Sequence, residues 1–219
     1  MKKKKIAVIL SGSGVYDGSE IHEATLSMYE IMKQGAEYEI FAPNIDQAHV
    51  INHLTGEVMN ETRNVLIESA RIARGAIKPL VDFRANQFDG LLLPGGFGAA
   101  KNLSSFAFDG ENMTVNEALK QAVLDAVEND LCLGALCIAP VILAKILDEP
   151  TLTIGSDPGT IKAIESMGGE HEVTDHGEVI IDEKYKLVTT PCYMLDATIV
   201  QIGEGAAAVV KEMLALMNE

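Results

Sequence analysis

The chain has 219 residues, of which 47% are hydrophobic and 22% charged, with a formal net charge of −15. That size and balance describe one soluble domain, expected to span residues 1–219, large enough to bury a sheet on both faces. The acidic excess argues against nucleic acid and anionic membrane surfaces as partners, since both require clustered Lys and Arg.

The one basic run, residues 2–5, precedes an apolar run at 6–10 that is too short for a signal-peptide core and gives way at once to Ser11-Gly12-Ser13-Gly14. Nowhere is there an apolar stretch of membrane-spanning length. The three cysteines show no metal-type C-x-x-C spacing and no paired framework, which points to a reducing cytoplasm.

Short apolar runs alternate with longer amphipathic stretches, the pattern of an α/β fold with a mostly parallel sheet. Residues 6–10 read as a buried strand. The helix after it places Ile21, Ala24, Met28, Ile31 and Met32 on one face and stops at Gly35. A second strand is expected at 38–42, ended by Pro43, and a third at 88–93, ended by Pro94-Gly95-Gly96.

Residues 43–82 exceed what a crossover needs and form an insertion, with a helix expected near 61–73. Thr114 and Glu117 have capping-box spacing and are expected to open a helix whose apolar face runs through Leu119, Ala122 and Ala126. A further strand leads into Gly134-Ala135-Leu136-Cys137-Ile138-Ala139-Pro140, and helix is expected over 138–147 and 161–167. Short runs at 179–182 and 187–190 suggest a small antiparallel excursion. The apolar stripe Ile199, Ile202, Ala206, Val209, Val210 and Met213 then closes the chain as a helix docked on the sheet.

In an open parallel sheet a ligand binds outside the carboxyl ends of the strands. Three loops converge there: residues 11–20, 94–98 and the segment at Cys137. Cysteine is commonly a buried small hydrophobe, but small neighbours at a strand-to-helix turn are the signature of a nucleophile elbow. The amino end of the following helix favours the thiolate. Glu20, at the opening of the first helix, is the candidate acid–base partner of Cys137, although a first-turn acid equally complements the helix dipole. The N–H groups of Gly95 and Gly96, with one beside the elbow, are candidate oxyanion donors.

Gly12-Ser13-Gly14 lacks the third glycine of a dinucleotide fingerprint, having Asp17 there, and reads as a simple turn. His176-Gly177-Glu178 has the His-x-Glu spacing of a cysteine amidotransferase triad but falls in a polar turn between short strands. His22 and His53 are candidates to line the crevice, and no His and acid residues have defensible metal-ligand spacing.

Val8-Ile9-Leu10-Ser11-Gly12, the segment from Leu93-Pro94-Gly95-Gly96 to Leu103, and Ala135-Leu136-Cys137-Ile138-Ala139-Pro140 together resemble the ThiJ/PfpI superfamily of class I glutamine-amidotransferase-like proteins. Segments 11–24, 51–57 and 189–195 are similar to its isoprenoid- and lycopene-biosynthesis-enhancing glyoxalase branch, ElbB. The resemblance implies a flavodoxin-like three-layer sandwich and a homodimer. It also implies a weak, cofactor-free glyoxalase that turns glyoxal or methylglyoxal, as small aldehyde substrates, into 2-hydroxy acids.

In that reading Cys137 forms a hemithioacetal, Glu20 moves a proton between adjacent carbons, and Gly96 and the N–H of Ile138 hold the oxyanion. Members with strong activity usually carry a histidine where this chain has Gly155-Ser156-Asp157-Pro158, so Asp157 would be the local orienting group and activity would be weak. By the same resemblance Cys192 approaches the crevice. The alternatives are a redox-responsive regulatory protein with an oxidisable Cys137, and a glutaminase-type subunit using His176.

Overall fold

The computed structural model describes residues 3–218, so Lys2 of the basic run lies outside the described residues. Strands β1 (Lys5–Ile9), β2 (Glu37–Ala42), β3 (Lys78–Pro79), β4 (Gly90–Leu93) and β5 (Cys132–Leu136) form one sheet with β8 (Ile180–Asp182) and β9 (Leu187–Thr190), in the order β3-β2-β1-β4-β5-β9-β8. All neighbours are parallel except β8 and β9, which form the expected antiparallel excursion. A separate short pair joins β6 (Thr151–Leu152) to β7 (Glu170–His171).

Alternation along the strands builds two cores. Ala7, Ile9, Leu91, Leu93, Leu133 and Ala135 face one side, covered by α5 (Glu117–Glu128) and α6 (Pro140–Ile146). Ile6, Val8, Leu10, Leu92 and Leu136 face the other, covered by α1 (Ile21–Lys33) and α8 (Ile199–Leu216). Every residue of β4 and β5 is buried, as a parallel sheet flanked by helices requires. Helix α8 opens with a full capping box from Thr198 and Gln201, and among the described residues no helix is long and apolar enough to cross a membrane.

Two local expectations change. The insertion contributes a shorter helix, α2 (Val65–Ile72), because Asn64 accepts the Ile67 N–H and starts it four residues late. The helix near 114 likewise begins later: Asn116, not Thr114, caps α5 by accepting the Leu119 N–H, while the Thr114 N–H is bonded to Ser105 Oγ. Residues of α3 (Phe97–Lys101), α4 (Phe106–Asp109) and α7 (Pro158–Ser166), with Asp157 before it, gather around Cys137 after the carboxyl end of β5.

The loops that face the site are laced together by backbone bonds. Phe97 N–H donates to Val15 O at 2.7 Å, Gly98 N–H to Gly18 O at 2.8 Å, and Glu20 N–H to Gly95 O at 2.9 Å. Asn102 Nδ2 ties the same loop from beneath, donating to Ser11 O and Asp17 O, each at 2.9 Å. The start of α1 is thereby held against the Gly95-Gly96 turn.

Candidate active site at the carboxyl end of the sheet

Cys137 follows β5 directly and adopts φ 60°, a left-handed conformation that is strained for a residue with a side chain. Its N–H is anchored on Thr190 O of the adjacent β9 at 3.0 Å, and Pro140, at the first position of α6, continues the chain as helix without needing an N–H donor. The thiol is 7% exposed, at the floor of a cleft of about 440 Å³. Val15, Phe97, Ala100, Phe106 and Met194 make its walls largely apolar.

The carboxylate at the thiol belongs to Glu23, which is fully buried. Its Oε2 and the Cys137 thiol both border Gly95, and Oε2 accepts the Gly95 N–H at 2.9 Å while Oε1 accepts the Tyr193 N–H at 3.3 Å. Burial, reinforced by the nearby Glu20 charge, pushes the Glu23 carboxyl up to about 8. Burial and the Glu23 charge likewise hold the Cys137 thiol well above its usual range, opposed by the N–H groups of Gly96 and Ile138 that point at the sulfur. The pair titrates as a unit.

Glu20 does not fill the role expected for it. Its Oε2 accepts the Glu23 N–H at 2.8 Å, so Glu20 is the N-cap of α1. The physical reason is its β-region backbone, φ −65° and ψ 122°, which turns the side chain along the helix end while Glu23, three residues on, projects from the buried face. The signal for Glu23 was present in the sequence as an acid on the apolar stripe beside Ala24, Ser27, Met28 and Ile31.

Gly95 also changes role, because its N–H is engaged by Glu23 and is not an open oxyanion donor. Its own requirement is steric: a Cβ there would lie 2.5 Å from Cys137 Cβ and 2.7 Å from Glu23 Oε2. Gly96, at φ 96°, carries the turn and offers its N–H to the sulfur as Ile138 does.

Asp157 lines the cleft, but its Oδ2 caps α7, accepting the Thr160 N–H at 2.8 Å and the Thr160 hydroxyl at 2.7 Å. Those bonds hold its carboxyl below the usual range. Cys192 is buried behind Glu23 at φ 42°, its thiol pushed well up by burial and by the Glu23 and Cys137 charges. His22 stands at the rim, its Nδ1 2.8 Å from the Tyr193 hydroxyl.

His53 belongs to the insertion and is directed away from the thiol: its Nδ1 donates to Ile51 O at 3.0 Å and its Nε2 accepts the Tyr16 N–H at 3.3 Å. His176 is taken up in its turn, 3.9 Å from Asp175 Oδ1, and no histidine is among the described residues that line the cleft over Cys137. Among the described residues no group of three or more His, Cys, Asp or Glu is arranged to hold a metal. Tyr193, which lines the cleft from the turn Cys192–Met194, was signalled in the sequence only by its place in segment 189–195, one of those that carry the resemblance.

A cysteine on a left-handed elbow beside a buried acid from the first helix, at the carboxyl end of a mostly parallel sheet, is the site expected of an amidotransferase-like protein. Comparison with known proteins agrees. The chain is 42% identical over 225 residues to the human "Glutamine amidotransferase-like class 1 domain-containing protein 3, mitochondrial", covering 98% of this chain and 84% of that protein. Among solved structures, an isoprenoid biosynthesis protein with an amidotransferase-like domain from Ehrlichia chaffeensis superposes with a TM-score of 0.91 at 34% identity, covering 97% of this chain and 99% of that one.

The chain therefore belongs to the glutamine amidotransferase-like class 1 domain family that includes the ES1 proteins. No protein-family model matches it. Glyoxalase III from Candida albicans shares the fold, with a TM-score of 0.64 at 16% identity over 97% of each chain. The expected cytoplasmic placement is overturned, since the human, rat and zebrafish relatives are all named mitochondrial. Free thiols mark a reducing environment and cannot distinguish one such compartment from another.

Proposed function

We propose that this protein is a cofactor-independent glyoxalase that hydrates and isomerises glyoxal or methylglyoxal to the 2-hydroxy acid, with Cys137 as nucleophile and Glu23 as acid–base. The observation that carries this reading is the placement of the buried Glu23 carboxyl beside Cys137, across Gly95 at the floor of an apolar cleft, where burial raises it to about 8. A carboxyl in that range exchanges its proton near neutral pH.

Glu23 takes the thiol proton as Sγ attacks the aldehyde carbon, and the carbonyl electron pair moves to oxygen, which receives that proton to give the hemithioacetal. Glu23 then removes the hydrogen on the same carbon and returns it to the neighbouring carbon, while the hydroxyl proton passes from the first oxygen to the second, leaving a thioester of the 2-hydroxy acid. Water cleaves the thioester, restoring the thiol, so that glyoxal plus water becomes glycolic acid. The N–H groups of Gly96 and Ile138 stabilise the sulfur while it carries charge.

The fold likeness to a glyoxalase III supports this reading. The redox-responsive alternative has less support, because peroxide oxidises the thiolate and burial holds this thiol protonated. The glutaminase alternative has less support, because among the described residues no histidine lines the cleft with Cys137. The test is acid production from glyoxal by the wild type and by Cys137→Ala and Glu23→Gln. Both substitutions are expected to abolish it, and turnover retained in either sinks the proposal.

A further inference from the structure

The attack proposed above places a second charge beside the sulfur. Of the three backbone N–H groups near the elbow, that of Gly95 is spent on Glu23, and those of Gly96 and Ile138 also favour the charged sulfur. The carbonyl oxygen that becomes negative in the first step therefore has to share those two donors with the sulfur. In a water-poor apolar cleft, such a charge needs a fixed donor.

Four polar side chains line the cleft: Cys137, Asp157, Thr160 and Tyr193. The Thr160 hydroxyl donates to Asp157 Oδ2 at 2.7 Å, and Asp157 is an acceptor. The Tyr193 hydroxyl is what remains. Its backbone is fixed from two sides, by its N–H bond to Glu23 Oε1 at 3.3 Å and by the turn that Cys192 forces at φ 42°. Its ring lies against His22, with centroids 5.9 Å apart at 45°, and its oxygen is 2.8 Å from His22 Nδ1.

We infer that the Tyr193 hydroxyl is the donor that stabilises the hemithioacetal oxygen at Cys137, and that His22 positions it by donating its Nδ1 hydrogen to the phenol oxygen. This inference rests on the aldehyde reading of the site. A hydroxyl has one hydrogen to give and two lone pairs to accept with, so a donor at His22 leaves the phenol hydrogen free for the cleft. Glu20 Oε1, 4.0 Å from His22 Nδ1, favours the imidazole form that carries a hydrogen there. No proton leaves Tyr193 in this role, and the proton balance of the reaction is unchanged.

The test separates this role from turnover by using ¹³C-labelled acetaldehyde, which forms a hemithioacetal but has no second carbonyl to isomerise. Carbon NMR reads the adduct at Cys137, and glyoxal turnover is followed in parallel. Tyr193→Phe is expected to weaken the adduct and lower kcat roughly 10²-fold, the usual effect of losing one such donor. His22→Ala should give a smaller loss, while His22→Asn, whose amide can donate from the same place, should restore most of it. An unchanged midpoint of thermal unfolding and an unchanged rate of Cys137 alkylation by iodoacetamide would separate the effect from a disturbed fold.

An adduct weakened by Tyr193→Phe without glyoxal turnover in the wild type would uphold Tyr193 and overturn the glyoxalase. Undiminished adduct and turnover in Tyr193→Phe would overturn Tyr193 and leave the glyoxalase standing. Absence of both adduct and turnover in the wild type overturns both, and failure of His22→Asn to exceed His22→Ala removes His22 from the role.

Discussion

Glu23 and Cys137 meet across Gly95, where a Cβ would lie 2.5 Å from Cys137 Cβ and 2.7 Å from Glu23 Oε2. The acid comes from the first helix and the thiol from the turn after β5, so their meeting depends on β1, β4 and β5 ending side by side. The β-ladders provide this, pairing Val8 with Leu92 and Leu93 with Ala135.

The two acids of α1 are separable by substitution. Glu23→Gln is expected to lower acid production from glyoxal by at least about 10²-fold, as for loss of a general acid–base. Glu20→Gln should cost about 1 kcal/mol of stability through the weakened cap and leave kcat within a few-fold of wild type. Kinetics and urea unfolding of the two variants check this, and the reverse ranking would restore Glu20 as the acid.

Stability should fall with rising pH because of Glu23. Its folded value of about 8 lies above the ordinary carboxyl value of 4.5, so the folded state binds the extra proton between those limits. The neutral carboxyl's contribution is fully present below about 4.5 and is lost as pH rises through about 8. The difference in unfolding free energy between wild type and Glu23→Gln, measured from pH 4 to 9, should therefore move in favour of the variant as pH increases. A flat difference would show that the carboxyl is not desolvated.

Gly95→Ala should damage stability and activity together. The added carbon would meet Cys137 Cβ at 2.5 Å and Glu23 Oε2 at 2.7 Å, the first held by the elbow backbone and the second by the Glu23 bonds to the Gly95 and Tyr193 N–H groups. A loss of roughly 1–3 kcal/mol is expected from overpacking. Thermal unfolding and glyoxal turnover measure both effects, and a stable, active variant would contradict the close approach.

Asp157→Ala should act on the helix rather than on the chemistry. Both of its close bonds go to Thr160, so about 1 kcal/mol of stability should be lost with the α7 cap while kcat stays near wild type. A large fall in kcat with unchanged stability would make Asp157 a participant, as the missing histidine first suggested.

Much of the architecture is written locally. The buried runs at β1, β4 and β5, the helical stripes of α1 and α8, and the small residues around Cys137 each carry their own signal, because periodicity and turn sterics act over a few residues. Caps are less legible. Thr114 and Glu117 have the right spacing, yet Thr114 is drawn into a bond with Ser105 from another segment, and Asn116 takes the helix.

The sequence by itself determined the alternating α/β order, the elbow and its thiol, because these follow from steric and hydrophobic patterns within short windows. Only the tertiary structure decided which acid meets that thiol, which backbone N–H remains free, and that Tyr193 and His22 sit together. Glu20 and Glu23 are one helical turn apart, so their directions differ by only about 60°. That angle assigns one to the cap and the other to the site only once α1 is docked. The His22–Tyr193 contact spans 171 residues, a separation over which no local pattern operates and which only the pairing of strands can close.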